Sequence, residues 1–420
     1  MALHGDCPEI RRFRQPVTRE RRLKVVANGV VTLMRFRQTR ILTPLLLSLF
    51  LTGSILPAAG IAAPELPSKL NDQDFWRLSE SMSEPDGKFQ SDNLLSNEMV
   101  FARVVPSLVA ATKPGGVYLG VGPEQNFTYI AAMRPRMVFI TDVRRGNLQL
   151  QLMYKALFEL SADRADFVSR LFTKKRPDGL TSATSAFDLM NAYWDVWSGD
   201  EAAYASNLQA IDDELTKKHH LPLTADDLQG IARVYRAFYW YGPGMNYSAS
   251  TTLRPVGNGR GTSYADLVSQ TDAGGHGLSY LGSEESFRVL KDLESKNMIV
   301  PVVGNFSGPK ALRGVGAYIR EHGATVSAFY VSNVEQYLRR DATWPAFCAN
   351  VATMPLDDTS VFIRPSGSLN VALRPVAAPG GAGGNLSFVA TLPAGGPGTS
   401  RSGLVPMAVE VKSCAAGGAR

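Results

Sequence analysis

The chain has 420 residues, is 45% hydrophobic and 20% charged, and carries 44 Lys+Arg against 38 Asp+Glu for a formal net charge of +6. That apolar share supports a large buried core and excludes an intrinsically disordered chain. Residues 1–63 hold 10 of the basic and 3 of the acidic side chains, leaving 34 basic and 35 acidic in the remainder, so the basic balance belongs to the leader and no nucleic-acid partner is expected.

In the leader, Arg35, Arg37 and Arg40 precede an almost wholly apolar run from Ile41 to Leu56, followed by the small residues Ala58, Ala59, Gly60, Ala62 and Ala63. This reads as a bacterial-type secretory signal over residues 1–63 that sends the chain to the periplasm or beyond. Left uncleaved, residues 41–56 would tether the protein to the inner membrane with its body outside the cytoplasm. Met34 is a natural start for the signal, and a misread leader would leave the protein cytoplasmic. Only Cys348 and Cys414 lie beyond it, and no sequence feature brings them together. No C-x-x-C or H-E-x-x-H occurs, so no metal site is expected.

After a short linker, a helix opens at Asp74 and breaks at Pro85-Asp86-Gly87. Ser91-Asp92-Asn93 offer cap oxygens to a longer helix running to about Ala111, which Pro106 should kink. Then comes a strand over Val117 to Leu119, a turn through Gly120 and Gly122, a helix from Glu124 to Met133, and a second strand, Met137 to Ile140, ending on Asp142. Nucleoside binding asks for this order: glycines let backbone approach a ligand, the next helix presents free N–H groups, and an acid about 20 residues on can bind ribose hydroxyls. Gly120-Val121-Gly122-Pro123-Glu124-Gln125 lacks the third glycine of G-x-G-x-x-G, which weakens a dinucleotide reading. An ordinary βαβ turn, with Asp142 capping the next helix, is the alternative.

Helices over Leu148 to Leu160 and Asp163 to Phe172 follow, and residues 173–283 read as a helical insertion with glycine-rich loops at Tyr241–Gly244 and Gly257–Gly261. His219 and His220 are expected at the surface. A helix over Glu284 to Lys296, a strand over Met298 to Gly304, a helix over Gly308 to His322 and strands over Thr325 to Val331 and Val361 to Arg364 complete an α/β domain, residues 64–366. Alternation of strand and helix implies a doubly wound, mostly parallel sheet. Residues 367–420 are rich in Gly, Pro and Ala and read as a flexible tail in which Leu386 to Val389 or Met407 to Val411 can pair as strands.

Ligands of open α/β sheets sit at the carboxyl ends of the strands. The groups there are Gly120, Gly122, Glu124, Asn126 and Thr128 after the first strand, Asp142 and Arg144 after the second, Asn305 after the third and Asn333 after the fourth. L-G-V-G-P-E-Q-N-F-T at Leu119 to Thr128, with T-D-V-R-R-G-N at Thr141 to Asn147, resembles the first two motifs of class I S-adenosylmethionine-dependent methyltransferases. Together with V-V-G-N-F-S-G-P-K-A-L from Val302 and A-F-Y-V-S-N-V-E-Q-Y-L from Ala328, these segments are similar to uncharacterised bacterial proteins of that Rossmann-like fold, over most of residues 70–365.

The resemblance implies a seven-stranded sheet with S-adenosylmethionine over the first two strands, its amino-acid part near Gly120 and Gly122 and its ribose on Asp142. Many such enzymes carry an acid just before the glycines. This chain has Tyr118 and Leu119, so Glu124 or Glu98 would have to substitute. If a methyl acceptor needs a base, Asp272 and His276 are the candidate pair. Tyr239, Trp240 and Tyr241 are candidates to stack on an acceptor, or core. The expected function is binding of a small nucleoside ligand, either by a methyltransferase or by an exported binding protein that keeps the site's geometry.

Overall fold

In the computed structural model, which describes residues 65–98, 100–197, 200–252, 262–364, 372–377, 386–391 and 403–415, the apolar runs become strands. β1 (Val117–Gly120), β2 (Met137–Asp142), β3 (Ile299–Val303), β4 (Val326–Tyr330) and β5 (Val361–Ile363) are parallel. Ala372–Ala377 and Leu386–Thr391 pair as an antiparallel hairpin, β6 and β7, and β8 (Leu404–Pro406) lies antiparallel to β5. The main sheet therefore has six strands among the described residues, in the order β3-β2-β1-β4-β5-β8, where the resemblance implied seven. Every residue of β1 to β5 is buried, as in a parallel sheet covered on both faces.

The helices are α1 (Asp72–Met82), α2 (Val105–Ala111), α3 (Gln125–Met133), α4 (Arg145–Leu160), α5 (Arg164–Phe172), α6 (Ala186–Trp194) and α7 (Glu201–Asp213). They continue as α8 (Ala225–Tyr241), α9 (Tyr264–Val268), α10 (Glu284–Ser295), α11 (Ala311–Glu321), α12 (Val334–Arg340), α13 (Trp344–Val351) and α14 (Met407–Ala415). Strand periodicity sorts them onto two faces. Phe139, Leu119, Phe329 and Phe362 lie side by side across the sheet, and Phe139 meets Tyr318 of α11 while Phe329 meets Phe347 of α13. Tyr118 and Tyr330 point the other way and pack on Tyr129 of α3. The insertion, α6 to α9, builds on this second face, with α8 against α4 and α5.

Three local expectations change. No continuous helix runs from Leu94 to Ala111: Leu94 to Glu98 is irregular, Phe101–Val104 is a single 3-10 turn, and α2 starts only at Val105. Pro106 sits in the first turn of α2, where its missing N–H costs nothing, so it starts the helix instead of kinking one. Met407 to Val411 is helix α14, not a strand, and with β8 it takes residues 404–415 of the expected flexible tail into the fold. Cys348 of α13 and Cys414 of α14 are joined by a disulfide that holds this segment beside β5. The apolar run 41–56 lies outside the described residues, among which no helix is long and apolar enough to cross a membrane.

Candidate functional site

Strand order reverses between β1 and β4, and in open α/β sheets the crevice outside that switch point is where ligands bind. A cleft of about 340 Å³ opens there. Val121, Gly122 and Pro123 reach it from β1, Asp142 and Val143 from β2, Gly304 and Asn305 from β3, and Ser332 and Asn333 from β4. The structure thus brings Gly122, Asp142, Asn305 and Asn333, four of the residues read from the sequence, to one place.

The glycine turn is set by a tight local network. Gly122 has φ +78°, a conformation that side chains rarely adopt. Gly120 is needed for space: a Cβ there would lie 1.9 Å from Asn126 Oδ1 and 2.9 Å from Tyr118 Cε1. That amide is fully buried, accepts from Tyr118 Oη at 2.8 Å, and donates to the carbonyls of Val121 at 2.9 Å and Pro123 at 2.8 Å. Asn126 therefore shapes the turn from beneath, and Thr128, also buried, lies in α3 behind it; neither lines the cleft. Gly120→Ala should cost about 1–3 kcal/mol through overpacking and unseat Asn126. A denaturant titration measures the loss, and an unchanged midpoint would show the turn to be less crowded than this geometry requires.

At the tip of β2, Asp142 Oδ1 accepts from the backbone N–H of Arg144 at 3.0 Å, and the Arg144 guanidinium stands 3.4 Å away. Asp142 is 4% exposed and lines the cleft beside Gly122. Arg144 also donates through Nη1 to the carbonyl of Asp92 at 2.5 Å, tying β2 to the segment that the sequence read as a helix break followed by the cap and start of a longer helix.

That segment, Ser83 to Glu98, is a strap across the carboxyl edge of the sheet. Glu84 N donates to Val303 O at 2.7 Å and Gly87 N to Val143 O at 2.8 Å. Two of its acids cap helices. Glu84 accepts from Lys310 N at 2.9 Å, Ala311 N at 3.0 Å and Asn305 N at 3.1 Å, filling the start of α11, and Asp86 accepts from Arg145 N at 2.7 Å at the start of α4. Further along, Lys88, Phe89, Gln90 and Asn93 wall the cleft, with Phe89 edge-on to Tyr337 of α12 at 5.1 Å. Sequence reasoning missed this wall and Tyr337; the break at Pro85-Asp86-Gly87 was the only signal of it.

Glu124, at the N-cap of α3, supplies a third carboxyl at a helix start. It is 1% exposed, and burial pushes it up to about 8. Glu98, where the strap ends, reaches the tip of β4, and Tyr330 Oη and Ser332 Oγ donate to its Oε1; burial raises it too, against those bonds. Asp272 and His276 are not brought to the cleft. They close an exposed loop in which Asp272 Oδ1 accepts from Gly274 N at 2.8 Å and His276 N at 2.9 Å, while the ring lies 3.1 Å from Oδ2. Self-satisfied turn chemistry explains the pair's spacing. Of the aromatic run, Tyr239 is buried and Trp240 exposed, and none of the three lines the cleft.

His219 is not at the surface. At 6% exposure it bridges Asp72 Oδ1, 2.7 Å away, and Glu159 Oε2, 2.9 Å away. Glu159, Glu214 and His219 each bring one potential metal-ligand atom to within 4.8 Å of the others. The ammoniums of Lys155 and Lys218 already lie on Glu159 at 2.7 and 3.0 Å, so the positive charge this cluster needs comes from the chain itself.

No curated protein matches the chain. A family model described as Domain of unknown function (DUF7790) matches residues 94–222 and 259–379, taking in β1 to β5 and the glycine turn. Because that match covers more than half of the sequence, the chain belongs to the DUF7790 family.

Proposed function

We propose that the cleft binds a nucleoside without a phosphate group, that the ligand is S-adenosylmethionine, and that the protein transfers its methyl group to a small acceptor. The observation that carries this is the filling of helix starts. In dinucleotide-binding sheets the pyrophosphate rests on the N-terminus that follows the glycine turn. Here the starts of α4 and α11 hold the chain's own carboxylates, Asp86 and Glu84, which repel a phosphate at the strand ends, while at the start of α3 stands the buried Glu124, pushed up to about 8; the set favours a neutral or cationic ligand. A sulfonium nucleoside has that charge, and Asp142 beside Gly122 offers a carboxylate for ribose hydroxyls.

Transfer from a sulfonium needs little chemical machinery, because the leaving group is already activated. Alignment and exclusion of water supply the rate, and the strap with Phe89 and Tyr337 would provide both. Isothermal titration of the purified protein with S-adenosylmethionine should give heat of binding that Asp142→Ala weakens by about 1–3 kcal/mol. ATP and NAD should bind far more weakly. Folded protein that gives no heat with the sulfonium, or that prefers the phosphate-bearing compounds, would end this reading.

The Cys348–Cys414 bond favours a second reading. Disulfides persist in oxidising compartments, away from the cytoplasmic donor, where the same cleft would serve a non-enzymatic binding protein. A reporter fusion active only outside the cytoplasm separates the two.

A further inference from the structure

The turn that carries the chain out of β4 is strained at one residue. Val334 N donates to Val331 O at 3.2 Å, and between them Ser332 has φ +47° while Asn333 has φ −87° and ψ 12°. A positive φ at the first central position alone defines a type II′ turn, where glycine is the usual occupant. Serine is strained there, and strain of this kind clusters at functional sites.

What serine adds over glycine is a hydroxyl at the cleft. Ser332 lines it from the tip of β4, and its Oγ donates to Glu98 Oε1 at 2.7 Å. The same carboxylate oxygen accepts from Tyr330 Oη, which in turn accepts from Gln125 Nε2 at 2.9 Å. Burial raises the Tyr330 phenol well above its ordinary value, so it stays a donor and orients Glu98. Burial also raises Glu98, which makes it the stronger base. A strained serine between a central parallel strand and a helix is the arrangement of the nucleophile elbow, and a base that touches the hydroxyl and is itself oriented by a third group is how such a nucleophile is activated. Tyr330 and Val334 stand where G-x-S-x-G has its glycines, so no sequence motif announces the turn.

We propose that Ser332 is a catalytic nucleophile that cleaves small carboxylic esters, with Glu98 as its base and Tyr330 as a positioning residue. Ser332 Oγ attacks the ester carbonyl, and its proton passes to Glu98. As the tetrahedral intermediate collapses, the bond to the alcohol oxygen breaks and Glu98 gives that proton to the departing alkoxide. Water then attacks the acyl-serine and yields a proton to Glu98, which returns it to Ser332 Oγ as the carboxylic acid leaves. The N–H of Asn333, the residue after the nucleophile, has no partner among the described residues and is the donor available to the oxyanion. The proposal goes beyond the nucleoside reading and rests on neither Gly122 nor Asp142.

The test treats purified full-length protein with a fluorophosphonate, which phosphonylates an activated serine hydroxyl with loss of fluoride, and follows the intact mass. One phosphonyl group per chain is expected, mapped by peptide sequencing to Ser332, with a burst of p-nitrophenol from p-nitrophenyl acetate. Glu98→Gln should slow labelling by about 100-fold or more, the usual share of a general base. Ser332→Gly suits the positive φ, so it should stay folded and take no label. Folded wild type that takes no label would overturn the proposal and leave Ser332 and Tyr330 as a structural tie between the strap and β4. A label that maps elsewhere or survives in Ser332→Gly would overturn it as well, as would equal labelling rates in the wild type and Glu98→Gln. No nucleoside enters the experiment, so its failure and that of S-adenosylmethionine binding are separate events.

Discussion

Glu159→Gln is expected to destabilise the protein by about 3–5 kcal/mol, the cost of removing one partner from a buried ion cluster. Lys155, 1% exposed, reaches Glu159 Oε1 at 2.7 Å and Glu294 O at 2.6 Å, and His219 and Lys218 share Oε2. The amide would leave three cations around a neutral oxygen. Burial alone would raise Glu159, but the bonds from His219 and Lys155 outweigh it and hold the carboxyl at about 2. Burial likewise opposes protonation of His219, and its bonds to Glu159 and Asp72 overcome this and raise it above 6.5.

The two groups bound a pH window. Glu159, depressed from 4.5, stabilises the fold fully above that value and loses its contribution as pH falls toward about 2. His219, raised from 6.5, stabilises fully below that value and loses its contribution as pH climbs through its folded pKa. The contribution of this pair, read as the difference in urea midpoint between the wild type and Glu159→Gln, should therefore be largest between pH 4.5 and 6.5 and shrink on both sides. In Glu159→Gln the acid limb should flatten. An acid limb as steep as that of the wild type would assign it to other carboxyls.

Removing the disulfide should cost about 4 kcal/mol by chain entropy, because the bridge closes a separation of 66 residues. Cys348→Ser with Cys414→Ser frees α14, and with it the hold on β8 along β5. The expected signature is a lower urea midpoint in the double variant, matched by wild type under strong reductant and unaffected by reductant in the variant. If reductant leaves the wild-type midpoint unchanged, then burial of Met407, not the covalent link, anchors this segment.

The sheet was legible because its strands are buried on both faces and so read as unbroken apolar runs, Val117 to Leu119 and Met298 to Val303 among them. Gly122, Asp142, Asn305 and Asn333 were legible for a related reason: topology, not side-chain detail, puts strand ends together. What failed depended on contacts distant in sequence. Glu84 caps a helix more than 220 residues away, a partnership no local pattern announces. Leu94, Phe101, Val104 and Leu108 mimic a helical stripe, but Leu94 and Leu95 are buried by tertiary packing in an irregular segment. His219 looked solvated beside Lys217 and Lys218, and its acids come from α1 and α4. Asp272 and His276 had the chemistry of a catalytic pair and the spacing of a turn, and the turn is what they make.

Pro301 in β3 has a consequence for the protein among its neighbours. As the outermost strand on its side among the described residues, β3 would offer a row of backbone donors and acceptors to any passing chain. The proline removes one donor, Ser79 Oγ takes the Pro301 carbonyl at 2.5 Å, and Ser83 and Glu84 occupy both backbone groups of Val303. Growth of the sheet by strands from other molecules is thereby blocked on this side, so self-association at high concentration should proceed through side-chain surfaces and should not seed fibrils from β3.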